Sequence, residues 1–206
     1  MKPADHKFYL ASKSPRRREL LRQIGVEFEL LMLREASPRG PDVTEAVLPG
    51  EKPEDYVVRV TREKAEVASK VMLMRRLTPR PVLTADTTVV VDGRILGKPA
   101  NEDEAMDMLR ALSGRTHQVL TAATLQRDEQ SWHFLQVSEV RLATLSEKTM
   151  RAYCASGEPY DKAGGYGIQG MAATFIEHIA GSYTGIMGLP LHETAQLLQQ
   201  AGIPVL

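Results

Sequence analysis

Apolar residues recur along this chain with two periods, and the switches between them divide it into elements. Over 102–112, Ala105, Met108, Leu109 and Leu112 fall at i, i+3, i+4 and i+7, which predicts a helix with one apolar face. A second helix opens at Ser14-Pro15, since serine caps well and proline suits a first turn. Leu20, Leu21 and Ile24 give it an inward face, and Gly25 ends it. Further helices are expected from 54 to about 70, over 147–155, and over 191–200 with Leu191, Ala195 and Leu198 inward. Strand patterns run over 8–11, 26–33, 82–91, 117–125, 132–142 and 174–179, the β-branched run at 82–91 being the clearest. Asp92-Gly93 is a strong hairpin signal, so 94–97 should pair back on 82–91. Prolines and glycines make 35–53 a loop, and 157–170 is rich in glycine. This order predicts an α/β fold whose mixed sheet is not purely parallel.

A length of 206 residues suits one compact domain or two closely packed lobes, large enough to bury a core without disulfides or structural metal. Twenty-six basic residues balance 26 acidic ones, so no overall field favours nucleic acid, a membrane or an acidic partner. An anion site must therefore be a local cluster. The single cysteine, Cys154, excludes an intrachain disulfide, and the five histidines lack metal-ligand spacing. Residues 1–18 hold no signal-peptide core and no run is long enough to span a bilayer, so a soluble, cytoplasmic protein is expected.

Four segments carry candidate chemistry. In Leu10-Ala-Ser-Lys-Ser-Pro-Arg-Arg-Arg18, a strand runs into a helix N-terminus, where free N–H groups and the helix dipole bind phosphate. Arg16, Arg17 and Arg18 occupy the first turn, where the dipole disfavours cations; they form either a solvated basic turn or a compensated anion site. Asp86 interrupts an otherwise buried strand and is either a strand-end or bulge residue, or a general base or metal ligand held rigidly. Lys98, in Gly97-Lys-Pro99, is either a surface turn residue or a cation brought back toward Asp86 by the hairpin. Gly165-Tyr-Gly-Ile-Gln-Gly170 matches GxGxxG, but it lacks the preceding strand and following helix of a dinucleotide site. There Gln169 could act as an amide reader. Asp42 and Glu45 are candidate magnesium ligands or merely solvated, and His117 reads as a structural hydrogen-bonder.

Taken in order, these segments resemble the Maf-like nucleotide pyrophosphatase family. The matches include Arg62-Glu-Lys-Ala65, Ala85-Asp-Thr87, Leu112-Ser-Gly-x-Thr-His117, Asp161-Lys-Ala-Gly-x-Tyr-Gly-Ile-Gln-Gly170, and Gly181-Ser-Tyr183 with Gly188-Leu-Pro190. The resemblance spans nearly the whole chain as a single domain. It implies two lobes around a central nucleotide-binding cleft that holds a nucleoside triphosphate and a divalent metal cation, Mg2+ or Mn2+. It places Ser14, Arg17, Lys64 and Lys98 on phosphate-binding positions and Asp86 on the proton acceptor. Glu45, of Asp42-Val-Thr-Glu45, would hold the metal together with Asp86. Arg16, Thr87 and Gln169 match positions tied to base selection, and the Tyr-Gly-Ile-Gln-Gly form resembles the branch acting on dTTP and UTP. The chain departs from the family pattern in extra residues at 34–41, in Thr44 where aspartate is common, and in Lys13 where a smaller residue is common.

The expected reaction is hydrolysis between the α- and β-phosphates, to a monophosphate and pyrophosphate, with Asp86 as general base. Two rival readings are a nucleotide-binding regulator of cell division with little catalysis, and a pyrophosphatase for modified purine nucleotides. A homodimer is the assembly the resemblance suggests, with no nucleic-acid or membrane partner.

Overall fold

The computed structural model describes residues 6–34 and 42–205. Of the extra stretch at 34–41, residues 35–41 lie outside the described residues. The elements follow in the order β1 (Phe8–Leu10), α1 (Pro15–Gln23), β2 (Phe28–Leu30), α2 (Pro53–Met74), β3 (Val82–Val91), β4 (Arg94–Leu96) and α3 (Glu102–Leu112). They continue as β5 (Thr116–Arg127), β6 (Gln130–Leu142), α4 (Glu147–Ala155), β7 (Ile176–Ala180), α5 (Tyr183–Met187) and α6 (Leu191–Gln200).

Seven strands form one mixed sheet in the order β2-β1-β3-β5-β6-β7, with β4 also paired to β3. β1 runs parallel to both β2 and β3, while β3, β5 and β6 form a long antiparallel meander. The expected hairpin at Asp92-Gly93 forms, with Val89 opposite Leu96 and both turn residues at positive φ. One edge of β3 is paired from Val82 to Val90 by β5. Its other edge is shared: β1 takes Val82 and Leu83, and β4 takes Val89 to Val91. Among the described residues no strand covers 84–88 on that edge.

Side chains of β3 alternate across the sheet. Thr84, Asp86 and Val90 face α2, where Val57 and Val60 pack on Val90, Leu120 and Ala122. The buried Thr84 hydroxyl donates to the carbonyl of Thr61 at 2.8 Å, and Thr124 donates to the Thr61 hydroxyl at 3.1 Å, fixing the rotation of α2. On the opposite face, Leu83 and Ala85 join a core with α1 and α6. Val89 and Val91 join a second core with α3 and α4. Thr87 and its cross-strand partner Thr121 stand between these two cores along the sheet.

Several expectations need correction. The second strand is only Phe28–Leu30, and α2 extends to Met74 because Val71 and Met72 keep an apolar stripe against Tyr9 of β1, Leu31 just past β2 and Val82 of β3. Residues expected to begin a strand at 174 belong to a 3-10 turn, Met171–Phe175, and β7 starts at Ile176. In α3 it is Met106 that is buried, with Met108 half-buried, and in α6 Leu197 is buried beside Leu198. α5 had no periodic signal, being only five residues long.

Gly164 joins the glycine-rich segment to the sheet. It has φ +70°, and an added Cβ would lie 2.8–2.9 Å from three side-chain atoms of Val89. Gly164→Ala should therefore cost about 2 kcal/mol or more from backbone strain and overpacking, read as a lowered midpoint in urea denaturation.

Candidate active site

The uncovered edge of β3 forms the floor of a cleft of about 980 Å³, near the upper end of the range for small-ligand sites. Seven cationic side chains and four carboxylates line it, so a chain with no net charge carries a local positive field there.

Asp86 lies in regular strand register opposite Ala122, which removes the strand-end and bulge readings. Its partner comes from α2. Thr61 sits over Thr84, and one helical turn later Lys64 reaches Asp86, with Nζ 2.9 Å from Oδ1. The same ammonium lies 2.7 Å from Oε1 of Glu45, so two carboxylates converge on one cation. The side chains of Lys64 and Asp86 are about 16% and 15% exposed, that of Glu45 57%. Burial alone would drive Lys64 toward neutrality, but the charges of Asp86 and Glu45 outweigh it and raise its pKa. Burial likewise opposes ionisation of Glu45, and Lys64, with help from Lys98 and Arg17, brings its pKa below the usual glutamate value. The raised lysine and lowered glutamate values favour the charged forms of Lys64 and Glu45 at neutral pH.

Glu45 is presented by a loop stapled to α2. The Tyr56 hydroxyl donates to the Glu45 carbonyl at 3.1 Å, and Arg59 donates to the Ala46 carbonyl at 3.0 Å while paired with Glu51. Burial first, then the nearby carboxylates of Asp86 and Glu45, push the Tyr56 phenol up to about 12, so it stays a donor. Asp42 does not join the site: its carboxylate is held by the backbone and guanidinium of Arg34.

Across the floor, α1 supplies the arginines. Ser14 caps the helix, its hydroxyl accepting from Arg17 N at 3.4 Å. Arg17 donates through Nε to the Gly188 carbonyl at 2.8 Å, through Nη1 to Ser12 at 3.3 Å and through Nη2 to Thr87 at 3.1 Å. Burial lowers its pKa, against the opposing charge of Asp86, but a guanidinium remains charged. Arg16 spans the cleft toward Asp161, at 3.7 Å. Ser14, Arg16, Arg17, Thr87, Lys98 and Gln169 all line the same cavity as Asp86, Lys64 and Glu45. All nine sequence-derived candidates are thus brought together. The cation paired with Asp86 is Lys64 rather than Lys98, whose charge is felt at Glu45 instead.

The glycine-rich wall is not a dinucleotide fingerprint, since 3-10 turns precede and follow it. Glu158, which sequence reasoning passed over, fixes this wall. Its carboxylate accepts from Tyr153 at 2.9 Å and from Met171 N at 2.8 Å, and a Cβ on Gly170 would run into it. His117 is structural as expected, with Nε2 2.6 Å from the buried Tyr166 hydroxyl. Thr121 was also missed; its hydroxyl sits 2.9 Å from that of Thr87. A threonine amid apolar strand residues was its only sequence signal.

The class defined by this geometry is an α/β protein with a positively charged cleft and a rigidly held carboxylate at its centre. The chain belongs to the Maf-like protein family, whose model matches residues 7–201. It is 57% identical over 196 residues to a dTTP/UTP pyrophosphatase of Ralstonia nicotianae, covering 95% of this chain and 94% of that one. It is 54% identical to proteins of the same name from Nitrosospira multiformis, covering 98% and 97%, and Aromatoleum aromaticum, covering 100% of both. A remote likeness, with TM-score 0.44 and 18% identity over 66% of this chain and 72% of the other, is to the Staphylococcus aureus Ham1 protein.

Burial holds His117 neutral, with its pKa pushed down to about 4. In the unfolded chain it would titrate near 6.5. Between these values only the unfolded state gains the proton, so stability falls as pH drops from about 6.5 to 4. His117→Gln should flatten that part of the stability–pH curve, measured by urea denaturation at several pH values.

Proposed function

We propose that this protein hydrolyses dTTP and UTP to the monophosphate and pyrophosphate, acting in the cytoplasm as one Maf-like domain over its whole length. The observation that carries this reading is the cluster at the cleft floor: Asp86, fixed mid-strand, beside Lys64 and Glu45 in a positively charged cleft. The shared name of relatives at 54–57% identity over nearly full length supports the substrate class. Among the described residues no helix is long and apolar enough to cross a membrane.

In this reading the triphosphate lies across Ser14, Arg17, Lys64 and Lys98, whose charges offset its own and stabilise the departing pyrophosphate. A water attacks the α-phosphorus, the new P–O bond forms as the bond to the bridging oxygen breaks, and Asp86 takes the water proton. Such a base contributes about 10²- to 10⁴-fold. Arg16, Thr87 and Gln169 face the pyrimidine. The residues fit a divalent cation, Mg2+ or Mn2+. Glu45 and Asp86 bring hard oxygen donors together around the Lys64 ammonium, and substrate phosphate and water would complete the shell such ions prefer. When bound, the cation supplies Lewis-acid charge to the triphosphate.

The test is pyrophosphate release from a panel of nucleoside triphosphates with magnesium, for wild type and Asp86→Asn. Turnover of dTTP and UTP should exceed that of purine triphosphates. The variant should lose about 10²-fold or more in kcat while still binding the nucleotide. Tight binding without release by the wild type would overturn the enzyme reading.

A further inference from the structure

The hydroxyl groups beneath the cleft form a chain with only one allowed direction. Arg17 Nη2 donates to Thr87 Oγ1 at 3.1 Å, the Thr87 and Thr121 hydroxyls are 2.9 Å apart, and Thr121 Oγ1 donates to the Gly185 carbonyl at 2.9 Å. A guanidinium can only donate and a carbonyl can only accept. Each threonine has a single proton. That of Thr121 is committed to Gly185, so the proton of Thr87 must go to Thr121. One lone pair of Thr87 is occupied by Arg17. What remains for a ligand is a single lone pair, on a residue that lines the cleft.

We propose that Thr121, fully buried, is a positioning residue that makes Thr87 an acceptor-only contact and thereby selects pyrimidine rings carrying a proton on N3. The proposal rests on the reading of the cleft as a pyrimidine nucleotide site and deepens it. Phosphate oxygens are acceptors, so Thr87 must meet another part of the substrate. Uracil and thymine present an N3–H donor there. Cytosine presents a bare N3, which would set lone pair against lone pair. A site built to satisfy a donor discriminates well because the mismatched ligand leaves polar groups unpaired. The position of Thr121 agrees with this role: its strand neighbours on the same face, Val119 and Ala123, are core residues, so packing alone asks only for an apolar side chain.

The test uses non-hydrolysable α,β-methylene analogues of UTP and CTP, with Kd measured by titration calorimetry on the full chain. Wild type should bind the uridine ligand at least about tenfold more tightly than the cytidine ligand. In Thr121→Val the freed Thr87 proton can turn to cytosine N3, and the preference should shrink about tenfold. Thr121→Ser keeps the proton relay and should keep the wild-type ratio, an outcome that a purely structural role would not separate from the valine variant. An unchanged ratio in folded Thr121→Val, or no preference in wild type, overturns the proposal. A third arm needs no variant to fold. The N3-methyl counterpart of the uridine ligand, which keeps both carbonyls but lacks the N3 proton, should bind wild type at least about tenfold more weakly, and equal binding also overturns it. Absence of pyrophosphate release from dTTP and UTP by wild type would instead sink the hydrolytic reading, leaving these binding ratios interpretable.

Discussion

The structure is organised by a strand that is paired along one edge and uncovered in the middle of the other. β5 holds β3 from Val82 to Val90, while β1 and β4 divide the opposite edge between its two ends. The long pairing makes the strand rigid, and the gap opens its centre to a ligand. Because side chains alternate, Asp86 and Thr87 address opposite faces of the sheet from adjacent positions. One face meets α2 and its lysine; the other meets α1, α5 and a row of hydroxyls. The carboxylate cluster and the row of hydroxyls are thus kept apart by a one-residue step along the chain.

The ionic half is poorly explained as a stabilising device. Lys64 and Asp86 are mostly buried, and removing both charges from water costs free energy that their attraction regains only with good geometry. Well-packed apolar side chains would serve stability as well or better. A second carboxylate, Glu45, is then added to the same ammonium by a loop with its own anchors at Tyr56 and Arg59. Such an arrangement is consistent with selection for the charges themselves. The cluster itself nets one negative charge, so the local positive field comes from the other cations that line the cleft, among which Arg17 and Lys98 remain to face an anion.

How much of this was legible in the sequence depends on the distance over which each feature is encoded. β3, α3, α4 and α6 run over the spans expected, since periodicity, capping residues and glycines act within a few neighbours. The Asp92-Gly93 turn fixed the return of β4 for the same reason. The hairpin did not, however, reveal that Lys64 rather than Lys98 pairs with Asp86. That contact depends on the rotation of α2 over β3, which is set by the Thr61, Thr84 and Thr124 hydroxyls in three separate elements. Glu158 was hidden likewise, because its role is to collect donors from Tyr153 and Met171 after the chain has turned twice. The site residues came from ordered short motifs, which carry the result of tertiary packing without displaying its cause.

Arg17 joins the two halves. Its Nε, Nη1 and Nη2 atoms are directed at Gly188, Ser12 and Thr87, three acceptors in different parts of the chain. Only a planar fork with five donors can span them and still have N–H groups left for an anion. A lysine would bring equal charge from a single point, without fixing the carbonyl of Gly188 or the orientation of the Thr87 hydroxyl. The arginine therefore sets phosphate contact and hydroxyl polarity with one group, so the geometry that holds the triphosphate and the geometry that reads the ring are not independently adjustable. A substitution that loosens one should disturb the other, which is a physical reason for the first turn of α1 to carry its charges against the helix dipole.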